Sequence, residues 1–214
     1  MARTKKKKLT IMVSSTVYGI EELLDRVYTL LTTFGYEIWC SHKGTVQVWS
    51  TKTAFDNCLE AVEKCDLFLG IITPQYGSGV QEGDQSITHQ EMKKAIELDK
   101  PRWFLAHDQV VFARKLLNDL GFKTPEQRSK LQLKKKATSI SDLRVVQMYE
   151  EATMEHLPLD DRQGNWVQKF DRDDDANLFV VSQFSRYQEV EERLKENLSN
   201  SDQLRAKLKE KSND

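Results

Sequence analysis

The chain of 214 residues contains no uninterrupted apolar run near the ~20 residues a bilayer-spanning helix needs, so a transmembrane protein is not expected. The basic start from Met1 to Lys8 leads into only a short apolar segment, which argues against secretion. Cysteine is scarce: Cys40, Cys58 and Cys65 are an odd number with no C-x-x-C pair, the usage of a reduced, cytoplasmic protein. Net charge is also lacking, because 32 Lys and Arg face 33 Asp and Glu, and no global field recruits nucleic acid or anionic lipid. The local runs Lys5 to Lys8 and Lys134 to Lys136 read as solvated arms.

Several catalytic signatures are missing. Neither a P-loop nor G-x-G-x-x-G follows the first strand, which disfavours the usual kinases, NTPases and nicotinamide dehydrogenases. The absence of H-E-x-x-H, paired C-x-x-C and G-x-S-x-G removes support for metal hydrolysis and serine-triad chemistry. Asp173, Asp174 and Asp175 lack the alternating spacing of a calcium loop and read as a solvated turn, so no metal is expected.

What remains is a folding composition, 39% hydrophobic and 9% aromatic, with a length that suits one domain and an appendage. Leu9 to Val13 reads as a buried strand closed by Ser14-Ser15-Thr16. Ile20, Leu23, Leu24, Val27, Tyr28 and Leu31 follow at helical spacing, ended by Gly35. Tyr36 to Cys40 predicts a second strand, and Phe55, Cys58, Leu59, Val62 and Cys65 a second helix. Leu67 to Ile72 is apolar on both faces, as a central strand of a parallel sheet should be. After a glycine-bearing loop from Pro74 to Gln85, a helix through Met92, Ala95 and Ile96 stops before Pro101, and Trp103 to Ala106 gives a fourth strand. A further helix through Val110, Ala113 and Leu117 ends at Gly121.

This alternation predicts an α/β, flavodoxin-like, doubly wound parallel sheet over residues 9–121, preceded by a basic arm, 1–8. A mostly helical extension covers 122–214, with a fifth strand left open. Leu143, Val146, Met148 and Tyr149 suggest one helix there. Val180, Phe184, Tyr187, Val190, Leu194 and Leu198 draw a second, amphipathic one from about Leu178. Its stripe must cover the α/β layer or meet a copy in a homo-oligomer.

In such sheets a ligand binds beyond the carboxyl ends of the strands, where strand order reverses. In an order 2-1-3-4, the loops beginning at Ser14 and Thr73 flank that crevice, making Ser14, Ser15 and Tyr76 pocket candidates. The two serines offer hydroxyls and backbone N–H groups to a phosphate or ribose; alternatively they terminate the strand and cap the turn. Tyr76-Gly77-Ser78-Gly79 reads either as a mobile lid carrying a ring to stack on a base or as a plain loop. Glu91 lies early in the next helix, directed at the crevice, unless Thr88-His89-Gln90-Glu91 is a capping box in which Glu91 only reaches back to Thr88. His89 reads as an exposed loop histidine, a lesser acid/base candidate.

Met12 to Thr16, Cys58-Leu59, Cys65 to Ile72, Tyr76-Gly77 and Ser86 to Glu91 together resemble a bacterial family of unknown function. Its members stand at the N-terminus of NTPase and repeat-containing signalling proteins, and it is similar to Toll/interleukin-receptor (TIR) domains and nucleoside deoxyribosyltransferases. The resemblance covers about residues 9–107. It implies cleavage of an N-glycosidic bond, in NAD or another nucleotide, by a carboxylate for which Glu91 holds the matching place. Ser14, Ser15, Tyr76 and His89 would line the pocket, with no cofactor beyond the nucleotide as substrate or ligand, in antiviral defence or stress signalling. The alternative is a non-catalytic TIR-like module that senses a nucleotide or binds a signalling partner protein.

Overall fold

A computed structural model describes residues 8–77, 85–135, 137–186, 189–190 and 192–194. Five strands form one sheet: β1 (Thr10–Ser15), β2 (Glu37–Cys40), β3 (Leu67–Ile72), β4 (Arg102–His107) and β5 (Val167–Phe170). Their order is β2-β1-β3-β4-β5 and every neighbouring pair is parallel, the doubly wound, flavodoxin-like layout. Strand order reverses between β1 and β3.

Side chains on a strand alternate between faces, and β3 shows what its unbroken apolar run is for. Leu67, Leu69 and Ile71 enter a core with α1 (Glu21–Thr33) and α7 (Asp173–Phe184), while Phe68 and Ile72 enter the opposite core. That second core is built with α2 (Ala54–Lys64), α3 (Ile87–Glu97), α4 (Asp108–Asp119) and α6 (Arg144–Thr153). Gly70 faces the second side, where a Cβ would lie 2.7 Å from the Phe104 ring, so the aromatic of β4 occupies the space a side chain would need. Ser14 stands opposite Gly70 in the β1–β3 register.

Residues after 121 build into the same two layers. The short turn α5 (Pro125–Arg128) leads to α6, which packs beside α3 and α4, and β5 then extends the sheet beyond β4. β5 is only four residues long and half exposed at the edge, which is why its sequence carries no clear period of two. α7 begins at Asp173, not near Leu178, and the three aspartates expected in a solvated turn form its first turn, where they complement the helix dipole. Val180 and Phe184 are fully buried against α1, and the Tyr36 hydroxyl donates to the Phe184 carbonyl at 3.2 Å. The amphipathic stripe therefore covers this chain's own sheet. Tyr187 and Leu198 lie outside the described residues, as do Lys5 to Lys7, Lys136, Ser78 and Gly79. Among the described residues no helix is long and apolar enough to cross a membrane.

Candidate functional site

β1 ends at the carboxyl edge of the sheet with Ser14 and Ser15, and the alternation of the strand sends them to opposite faces. Ser14 points into the α2–α3 side. Its hydroxyl donates to Glu91 Oε2 at 2.5 Å. Ser15, expected to share that pocket, turns away, with its hydroxyl 3.0 Å from the carbonyl oxygens of both Thr16 and Ile71. The loops after β1 and β3 meet where Thr16 Oγ1 donates to the Gln75 carbonyl at 2.6 Å.

Glu91 does not cap its own helix. The N-cap of α3 is Ser86, whose side chain accepts from the His89 N–H at 3.4 Å, and Thr88 lies inside the helix. The capping-box reading is thus corrected: the helix starts two residues earlier than that pattern requires, and the Glu91 side chain crosses to β1. It is 5% exposed. Among the described residues it has no ion pair; its partners are the Ser14 hydroxyl and the Cys58 thiol of α2. Burial pushes the Glu91 carboxyl up to about 7, against the two hydrogen bonds, which favour the charged form. Burial, then the charge and hydrogen bond of Glu91, push the Cys58 thiol up to about 12, so Cys58 serves as a protonated donor here and not as a nucleophile. The arrangement is a carboxyl group balanced between its acid and base forms near neutrality, at the strand-order reversal.

Tyr76 and His89 are both buried, contrary to a Tyr76 on a mobile lid and an exposed His89 in a loop. His89 lies in the first turn of α3. Its Nδ1 is 2.8 Å from the Tyr76 hydroxyl, and its Nε2 is 2.7 Å from Glu151 Oε2 on α6. The Ser86 N–H donates to the Tyr76 hydroxyl at 3.2 Å, and the Arg144 guanidinium lies over the Tyr76 ring at 4.3 Å. Neither residue meets Glu91 through a hydrogen bond. They form a separate cluster on the other flank of the same helix.

The family described as "Domain of unknown function (DUF4062)" matches residues 10–211. The chain belongs to that family. No curated protein matches this DUF4062 chain. Among solved structures, the crystal structure of a conserved protein from Enterococcus faecalis V583 is similar at 9% identity, with a TM-score of 0.42 over 83% of this chain and 99% of that one.

Sequence reasoning missed two parts of the site in this DUF4062 domain. Cys58 is one of the apolar stripe of α2, and nothing in its spacing distinguishes a core thiol from one that faces a carboxylate. Glu151 is one of two adjacent glutamates of α6, and only the packing of α6 on α3 brings it to His89. A cavity of about 530 Å³ opens between α5, the segment 129–133 and the start of α6, lined in part by Leu131, Leu133, Ser141 and Arg144; Ser14 and Glu91 are not among its walls.

Proposed function

We propose that this DUF4062 domain cleaves the N-glycosidic bond of NAD or another nucleotide, in bacterial defence or stress signalling, with Glu91 as the reacting carboxylate. The observation that carries the reading is the Glu91–Ser14 pair: a buried carboxyl group with no cation paired to it among the described residues, at the carboxyl edge of the sheet beside the reversal of strand order. A carboxylate so placed suits a sugar that turns oxocarbenium-like. As the C1′–N bond breaks, its electron pair leaves with the base, and the ionised Glu91 stabilises the cationic sugar or bonds to C1′ until water delivers a hydroxyl there and loses a proton. Because Glu91 is 5% exposed, a sugar reaches it only when the groups around it move. The nearly closed site, with Tyr76 and His89 engaged internally, favours a second reading, a non-catalytic module that senses a nucleotide or contacts a signalling protein or a second copy of itself.

Incubation of the purified protein with NAD and a panel of nucleosides, followed by chromatography for free base, separates the two. The catalytic reading expects base release that falls about 100-fold or more in Glu91→Gln. Release retained in that variant overturns the role of Glu91, and nucleotide binding without release from any substrate establishes the second reading.

A further inference from the structure

We infer that Tyr76, His89 and Glu151 form a pin that fixes the rotation of α3 and thereby holds Glu91 against Ser14, with His89 as the positioning residue. That Glu91 is a reacting group rests on the reading above; the pin rests only on the fold.

With His89 as a neutral imidazole the hydrogen bonds run in one direction. The Tyr76 hydroxyl oxygen accepts from the Ser86 N–H, which leaves its own proton for His89 Nδ1. Nδ1 then accepts, Nε2 carries the ring proton, and that N–H is aimed at the Glu151 carboxylate. His89 is 0% exposed and Tyr76 2%, so water cannot replace the bond between them, whereas the Glu151 end of the cluster is partly open. Arg144 and the Ser141 hydroxyl, which accepts from the Tyr76 N–H at 2.8 Å, hold the tyrosine from the side of α6. Although Tyr, His and Glu recur in acid/base relays, burial keeps Tyr76 and His89 here from direct contact with a substrate.

Helix geometry supplies the coupling. Two residues along an α-helix are about 200° apart, so His89 and Glu91 project from opposite flanks, one toward α6 and one toward β1 and α2. A rotation of α3 by about 20° would carry a carboxylate ~6 Å from the helix axis through ~2 Å. That is enough to break the 2.5 Å hydrogen bond to Ser14.

The test is the titration midpoint of the Glu91 carboxyl, followed by carbon-13 NMR in the full chain. Tyr76→Phe keeps the ring under Arg144 and removes the hydroxyl that His89 needs. Glu151→Leu removes the other end of the pin, and Glu151→Gln keeps a carbonyl oxygen to accept from Nε2. With the fold confirmed by amide spectra, the pin predicts that Tyr76→Phe and Glu151→Leu lower the midpoint by a unit or more as Glu91 becomes solvated, whereas Glu151→Gln leaves it in place. A purely structural role for the cluster would change stability and not the midpoint. If the midpoint stays fixed in both Tyr76→Phe and Glu151→Leu, at whatever value the unaltered protein shows, the inference is overturned. Absence of base release from NAD and from every nucleoside of the panel would contradict the proposed activity without touching this result.

Discussion

Ser14 Oγ on β1 and Glu91 Oε2 on α3 lie 2.5 Å apart although 77 residues separate them in the chain. The hydroxyl is a donor to a carboxyl group that burial drives toward its neutral form, and it opposes that drive. Ser14→Ala should therefore move the Glu91 midpoint further up, above about 7, the direction opposite to that expected on breaking the Tyr76–His89–Glu151 cluster. A carbon-13 titration of the variant reads it, and a downward shift would show that Ser14 is not the partner that matters.

Glu91 also makes stability depend on pH. Its folded value of about 7 stands above the ordinary 4.5, so between those values the unfolded chain has released a proton that the folded chain still holds, and stability falls as pH rises. The loss is complete above about pH 7 and amounts to about 3 kcal/mol. Glu91→Gln cannot ionise and keeps an oxygen for Ser14 and Cys58. Urea unfolding should show the variant gaining on the unaltered protein by up to about 3 kcal/mol from pH 4.5 to pH 8. A difference that does not change with pH would mean that Glu91 is ionised throughout.

Much of the fold was legible because its signals are local. The doubly apolar Leu67–Ile72 run announces a strand with helices on both faces, and Ser14 and Glu91 follow from the rule that places ligands at the carboxyl edge. The burial of Tyr76 and His89 has no local signal in the sequence, for a physical reason. A histidine early in a helix carries no mark of its own burial, and whether it is buried depends on α6, some sixty residues later. Ser15 was separable from Ser14 by strand alternation alone. β5, short and at an edge, has too little buried face to leave a period.

Gly70→Ala tests the close approach of β3 and β4. A methyl group 2.7 Å from the Phe104 ring forces that buried aromatic out of its place, at a cost of about 1–3 kcal/mol. Chemical denaturation measures it, and a loss below half a kcal/mol would show that the ring has room to move.

Deletion of residues from 178 onward removes Val180 and Phe184 and uncovers the α1 face of the sheet, together with the Tyr36 hydroxyl that donates to Phe184. Aggregation or unfolding is expected by size-exclusion chromatography and circular dichroism. A monomeric truncation of unchanged melting temperature would contradict the packing described.

Glu91 is a buried carboxyl group balanced between its two protonation states at the strand-order reversal. Carbon-13 titration of the unaltered chain, with the Glu91 resonance assigned by its loss in Glu91→Gln, tests this most directly. A midpoint near 7 is expected; a midpoint in the ordinary carboxylate range, below about 5, would show that burial does not hold the proton on Glu91.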